Sequence, residues 1–329
     1  MASPFVIVPR GSAAAAERLA LDPAFGDLAV HAADPQVTDL FLNGAAGLFL
    51  DRGAGAEAVP GWTASEREVR ELAVRLVALG GRHLDDQAPC VDVRLASGVR
   101  VHAVLAPVST GGTAVSVRIP RVHAADLDDL VRLGAIDLAQ RAWLEQTVRG
   151  RKNVLITGGT GTGKTTMLAA LLAHVPPHER IVTIEDVAEL RPRHPHHVSL
   201  EARQPNLEGV GAISVARLVR ESLRMRPDRL IVGECRGEEI RELLTALNTG
   251  HDGGAGTLHA SGLADVPARL EALGALAGMD PPALARQAVS AFAYVLHLVR
   301  AAGGLRRLTQ VGVLRRDGEH LGIEEVRPW

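Results

Sequence analysis

The sequence predicts an α/β protein of two domains, a small mixed α/β unit followed by a larger one built on a mostly parallel sheet. Three observations carry this expectation. After residue 150, short apolar runs alternate with helical stretches, the order of a parallel sheet with helices on both faces. Upstream of residue 121, apolar runs stop at glycines and alternate in hydropathy, as hairpins do. At the start of the second region, GGTGTGKT (158–165) follows an apolar strand and opens a helix, the setting in which such a glycine-rich run cradles phosphate.

The bulk composition agrees. A chain of 329 residues is long enough for two domains, and 47% apolar residues supply a core. Aromatics are only 3%, so that core must be Ala, Val, Leu and Ile. A net charge of −2 argues against a protein that coats nucleic acid. Two distant cysteines, Cys90 and Cys235, exclude a disulfide framework and a four-cysteine zinc module, and suit a reducing compartment. No apolar run reaches the length of a membrane span, and the first residues lack the order of a signal peptide, so the expected location is cytoplasmic. Positive charge is nearly all arginine; lysine occurs only at Lys152 and Lys164, so a lysine marks a place that requires a compact ammonium.

Residues 1–33 read as a poorly specified lead-in, either disordered or a short packed helix. Residues 34–124 form the first domain. VTDLFLNG and GLFLDRG pair as strands. Ser65 and Glu68 have capping-box spacing; Val69, Leu72, Leu76 and Leu79 recur at helical spacing, and Gly80-Gly81 ends the helix. CVDVRLASGVRVHAVLAPV alternates around Ser97-Gly98 as a hairpin, and TAVSVRIPR adds a strand. Residues 125–136 read as a linker with a short acidic-started helix closed by glycine. The second domain, 137–329, begins with a helix capped by Asp137 and running to Arg149. NVLIT follows as a buried strand, and IVTIE, LIVGE, GTLHA and VLHLV are the next strand candidates.

Chemistry concentrates in the second domain. Gly158, Gly159, Thr160, Gly161, Thr162 and Gly163 let the backbone turn several N–H groups toward one centre, and the following helix N-terminus adds positive potential. Lys164 would reach the β- and γ-phosphates of ATP, Thr165 would ligate Mg²⁺, and Thr166 continues the nucleotide-binding turn. RPDRLIVGE puts Glu234 at a strand end, where it would orient or deprotonate an attacking water. Where many phosphate-loop enzymes have Asp before that Glu, this chain has Gly233, so metal coordination there would run through waters held by Glu234. IVTIED offers Glu185 and Asp186 to the same crevice, with Glu185 also touching metal through water. GHDGGAGTLHA (250–260) holds His251 and His259 around a glycine-rich turn, open to a phosphate or a metal reading on the residues alone. The metal reading is the weaker, since no cysteine lies nearby and zinc needs three or four ligands. RPRHPHHVSL, with His194, His196 and His197, reads as a solvated loop near the mouth of the site.

Together TGGTGTGKTT, TIEDVAEL, LRMRPDRLIVGECRG and NTGHDGGAGTLHAS resemble the Walker A, acidic box, Walker B and histidine box of the type II/IV secretion ATPase superfamily, in its order. LEARQPNLEGVG, VTDLFLNG and STGGTAVSVRIPR resemble its Tad (Flp pilus) branch, the CpaF/TadA-like ATPases of the actinobacterial kind, and the match covers residues 34–300. One departure is Ser261-Gly262, where the superfamily often has Asn-Ser after His-Ala.

The resemblance implies a PAS-like amino-terminal domain, a RecA-like ATPase domain, and nucleotide bound between them. It implies a homohexameric ring that hydrolyses ATP with Mg²⁺, at the inner face of the cytoplasmic membrane and against polytopic platform proteins, driving pilus assembly or secretion. His251 and His259 would be the histidine box, one or both sensing the γ-phosphate, with a purely structural role left open for His251. Arg100 and Arg118, on late strands of the first domain, would reach the phosphates as the domains close, with Arg121 a third candidate; a solvated strand-face role stays open for each. Two rivals stand beside this reading: a RecA-like nucleic-acid translocase, disfavoured by charge and by a single tyrosine, and a regulatory or partner-activated nucleotide-binding subunit.

Overall fold

The computed structural model describes residues 23–53, 55–95, 98–119, 125–203, 210–301 and 304–329. The chain divides into two compact units, with the boundary between His123 and Ala124.

The first unit opens with a 3₁₀ turn, Pro23–Leu28, and a short helix α1, Ala29–Ala33. It then lays down β1 (Asp39–Asn43), β2 (Leu48–Asp51), β3 (Ala56–Ala58), α2 (Glu66–Leu79), β4 (Cys90–Arg94), β5 (Arg100–Val104) and β6 (Ala114–Arg118). The six strands form one sheet in the order β3-β2-β1-β6-β5-β4, every pairing antiparallel. Alternation decides the inner face. Leu40, Leu42, Val91, Val93, Val101, Ala103, Val115 and Val117 point one way and pack on Val69, Leu72, Ala73, Leu76 and Val77 of α2. Ser65 and Glu68 close the capping box, and Gly80 caps the other end of the helix. Leu79, expected on the buried stripe, is exposed, because Val77 and Ala73 turn the stripe away from it. Phe25, Leu28 and Ala32 are buried in the same core, so the end of the lead-in is a packed helix; residues 1–22 lie outside the described residues.

The second unit takes in the whole of the segment read as a linker. Helix α3 (Leu127–Arg132) carries a capping box from Asp126 and Asp129, and Ala125, Leu127, Leu130 and Ile136 are buried in that unit's core. The segment therefore packs as part of the second unit. Asp137 caps α4 (Leu138–Arg149) as expected. There follow β7 (Val154–Gly158), α5 (Lys164–Leu172), β8 (Ile181–Glu185), β9 (His197–Glu201), α6 (Val215–Ser222), β10 (Arg229–Val232), α7 (Glu239–Leu247), β11 (Ala255–His259), α8 (Val266–Leu276), α9 (Pro281–Ala291), β12 (Tyr294–Arg300), β13 (Arg306–Asp317) and β14 (His320–Val326).

The eight strands pair in the order β14-β13-β12-β7-β11-β10-β8-β9. The run from β12 to β9 is parallel, and β13 and β14 add antiparallel. The central strands are apolar at nearly every position because helices cover both faces. On β7, Leu155 joins a core with α6 to α9, whereas Val154 and Ile156 join one with α3, α4 and α5.

Two elements differ from expectation. The C-terminal hairpin β13–β14 was not anticipated, although Asp317-Gly318 at its turn is a hairpin signal and Gly318 takes φ 61°. RPRHPHHVSL is a solvated loop only over 191–196, which lie outside any strand. His197–Glu201 is the edge strand β9, and His194 and His196 sit at its start, bonded to Pro176 O and Arg180. That is the end of the sheet opposite the glycine-rich loop, because Ile181 pairs with His197 and Glu185 with Glu201. Among the described residues no group of three or more His, Cys, Asp and Glu is arranged to hold a metal, and no helix is long and apolar enough to cross a membrane.

Candidate active site

Parallel strands bring their carboxyl ends to one edge, and the chemistry collects there. β7 ends at Gly158 and the chain turns through 159–163 into α5. His259 at the end of β11 pairs in register with Gly158, and on the other side Leu298 of β12 does the same. Gly158 has φ 147°, and a Cβ there would fall 2.4 Å from Leu298 O and 2.7 Å from Thr162 Oγ1, so only glycine lets the loop leave the sheet at this point. Thr162 Oγ1 donates to Gly159 O at 2.9 Å and tightens the turn. Thr160 and Gly161 form its exposed crest; Thr165 and Thr166 are half-buried in the first turn of α5.

Lys164 is buried, and its Nζ donates to Gly158 O and Gly159 O at 2.9 Å each. Burial pushes its pKa below the ordinary lysine value; Arg236 adds to this and Glu234 opposes it. The same Nζ stands 3.4 Å from both ring nitrogens of His259, whose Nε2 lies 2.6 Å from Glu234 Oε1. Burial, followed by the Lys164 charge, lowers the His259 pKa against the opposing pull of Glu234, and so favours the neutral ring. Arg236 Nη2 lies 2.5 Å from Glu234 Oε2. Lys164, His259, Glu234 and Arg236 thus form one contiguous polar chain against the loop. Arg236 was not singled out from sequence, because an arginine two residues beyond a strand-end glutamate carries no signal of its own.

Glu185 ends β8 and lies against Gly233, the residue before Glu234. Its carboxylate is buried and turned into its own loop, where Oε1 accepts the N–H groups of Glu189 at 3.0 Å and Leu190 at 3.1 Å. The charges acting on Lys164 come from Glu234 and Arg236. Gly233 explains the packing: a Cβ there would lie 2.4 Å from Glu185 Cγ, so the aspartate common at this slot has no room. Burial raises the Glu185 pKa from 4.5 to about 7 against the opposing pull of the two N–H bonds.

Between pH 4.5 and about 7 the folded chain keeps the Glu185 proton that the unfolded chain has lost, so this group's contribution to stability falls as pH rises across that window and is flat above it. Glu185→Gln, which keeps an acceptor for both N–H groups, is expected to stabilise the fold by on the order of 2–3 kcal/mol at pH 8 and by less than ~1 kcal/mol at pH 5. Urea midpoints at the two pH values check this, and an equal gain at both would reject the titration.

His251 stands apart from the loop within the subunit, as the structural role left open for it allows. Its Nδ1 lies 3.2 Å from Ala246 O at the end of α7. Beside it, Gly253 N and Gly254 N donate to Asn153 Oδ1 at 2.6 and 2.9 Å, at the start of β7. The length of β11, roughly 13 Å for its four steps, separates this cluster from His259. Within the subunit only His259 meets the loop, and His251 belongs to the sheet's opposite edge.

In the first unit, Arg100 and Arg118 are directly opposed on β5 and β6, on the face away from the core. Arg94 continues the row, opposite Arg100, and was missed because its place beside the other two is a matter of register. Arg100 Nη2 bonds Asp92 Oδ2 at 3.1 Å. Arg121 lies outside the described residues.

Residues 28–317 match the family model described as type II/IV secretion system protein. The Mycobacterium tuberculosis (strain H37Rv) protein Rv3659c, which carries a conjugal-transfer name, is 50% identical over 299 residues, covering 89% of this chain and 84% of its own. Conjugal transfer protein TrbB of Rhizobium radiobacter is 31% identical over 296 residues, 88% of each chain. Among solved structures, the pilus retraction motor PilT with bound ADP aligns with a TM-score of 0.61 at 19% identity, over 92% of this chain and 82% of that one. The Legionella pneumophila ATPase DotB aligns at 0.59 and 20%, over 87% and 79%. At these identities the structural likeness shows the fold, an amino-terminal α/β domain followed by a RecA-like domain.

Proposed function

Because the chain belongs to the type II/IV secretion system protein family, we propose that it is an ATP-hydrolysing motor working as a homohexameric ring, and that it powers assembly of a Tad/Flp-type pilus. The observation that carries the enzymatic part is the contact chain Lys164–His259–Glu234 beside the glycine-rich loop.

In this reading the loop N–H groups and the α5 N-terminus bind the phosphates. Lys164, now bonded to the loop's own carbonyls, turns to the β- and γ-phosphates. Mg²⁺ would be held by the Thr165 hydroxyl with phosphate oxygens and water. The donor set fits, since such sites use one or two protein oxygens rather than a protein cage. The ion would neutralise charge on the phosphates. Glu234 takes the proton of the attacking water, and His259, neutral and touching Glu234, senses whether the γ-phosphate is present. Glu185 supports the turn that carries Asp186 and Glu189. Arg100 and Arg118 supply positive charge toward the phosphates in the assembled ring. Attachment to the inner face of the membrane is through polytopic partners.

A second reading of the task has its own support: relatives at 50% and 31% identity carry conjugal-transfer names, which favours a type IV secretion apparatus over a pilus. The ATPase chemistry is common to both.

The test is steady-state ATP hydrolysis per protomer against protein concentration. A specific rate that climbs with concentration is the expected result for sites completed by ring assembly. A rate at background throughout would reject the self-sufficient motor in favour of a partner-activated or regulatory nucleotide-binding subunit.

A further inference from the structure

The sheet order sets a direction across the loop. Glu234 and His259 lie on the side of β7 occupied by β11 and β10. A nucleotide seated with its γ-phosphate toward Glu234 therefore points its other end toward the opposite neighbours, β12 and β13. Two arginines stand there. Arg300 ends β12, and Arg306 begins β13 directly opposite it in register. Both are exposed. Arg300 Nη1 lies 3.8 Å from the point where a Gly161 side chain would start, and Arg306 Cδ lies 3.2 Å from the corresponding point at Gly163. The hairpin thus lays one guanidinium against the crest of the loop and one arginine stem against the residue that caps α5.

The planar end of a nucleotide needs a planar partner, and the second unit has few. Its four aromatic residues are Trp143, Phe292, Tyr294 and Trp329. Phe292 is buried, and Trp143 packs on both Tyr294 and Trp329 with ring centroids 5.1 and 5.5 Å apart. Tyr294 pairs with Val154, so this cluster lies at the far end of β12 from Arg300. A guanidinium is flat, weakly hydrated and able to stack on a ring while its edge bonds ribose or ring nitrogens; an ammonium is not.

We propose that Arg300 and Arg306 form the subsite for the nucleoside end of the nucleotide, stacking on the base and bonding the ribose. This rests on the nucleotide-binding reading above and adds the residues that recognise the part of the molecule remote from the reaction. The subsite contributes to binding in the ground and transition states alike, so it acts on affinity rather than on turnover.

The experiment is calorimetric titration of the full chain and its Arg300→Ala, Arg306→Ala and Arg306→Lys variants with ADP and, separately, with inorganic tripolyphosphate, which has the phosphates and no nucleoside. Each alanine variant is expected to weaken ADP about three- to tenfold and to leave tripolyphosphate within twofold of the parent. Arg306→Lys, keeping the charge without the plane, is expected to recover less than half of the loss. Unchanged ADP affinity would overturn the proposal. So would an equal loss for both ligands, or full recovery with lysine, since either makes the arginines a general phosphate field. If the parent chain binds neither ligand, the nucleotide reading itself fails; if it binds both and the variants match it, only the subsite fails.

Discussion

Glu234→Gln is expected to lower kcat for ATP hydrolysis by ~10²–10⁴ while leaving nucleotide affinity within a few-fold of the parent. The amide keeps the length and the contact with His259 that the carboxylate makes at 2.6 Å. It removes the only property that the proposed step requires, the ability to accept a proton from water. Loss of turnover with retained ADP binding, measured by steady-state hydrolysis and by titration, assigns Glu234 to the chemical step. A variant that hydrolyses within threefold of the parent would remove Glu234 from that role. One that also loses ADP would make it part of binding.

Arg229→Ala is expected to cost about 3–5 kcal/mol of stability. Arg229 is 1% exposed, and its Nε bonds Glu179 Oε2 at 2.5 Å. Its Nη2 donates to Val148 O at 3.0 Å and its Nη1 to Gly253 O at 3.4 Å. It therefore ties the end of α4 and the glycine turn of the histidine box to the start of β10. Among the described residues, removing it leaves Glu179 with Arg151, at 3.1 Å, and takes a donor from Gly253 O, while Val148 O keeps the Arg151 N–H at 3.1 Å. Urea unfolding of the single variant and of Arg229→Met with Glu179→Met separates the causes. If the double variant recovers most of the loss, the cost lies in the uncompensated charge; if it does not, the lost carbonyl bonds carry it. A single-variant loss below 1 kcal/mol would show that neither is needed.

Both predictions concern residues near motifs that were plain in the chain, and they differ in how far the chain alone explained them. Glu234 was legible because a glutamate at the end of an apolar strand, downstream of a glycine-rich phosphate loop, is a local pattern with a mechanism attached. Arg229 sits in the same run and carried no such sign; its burial depends on Glu179 and Gly253, which approach only when the sheet forms. Glu185 and His251 show the converse. Each lies in a motif of the right composition, and in each the fold adds a contact that the motif does not announce, Glu185 with the 189–190 backbone and His251 with Ala246 O at the opposite end of β11 from His259.

What the sequence by itself determined is what depends on near neighbours along the chain: the helices capped by Ser65, Asp126 and Asp137, the strand–loop–helix around Lys164, the hairpin strands of the first unit, and the parallel α/β character of the second. These follow from hydropathy period, capping chemistry and glycine placement, all of which act over a few residues. Only the tertiary structure decided which residues share a site. Strand order put His259 on one flank of Gly158 and Arg300 on the other, set Gly233 against Glu185, and aligned Arg94 with Arg100 and Arg118. Except for Arg94 and Arg100, which face each other across one short hairpin, those relations join positions well separated in the chain through sheet register, and no local spacing encodes them.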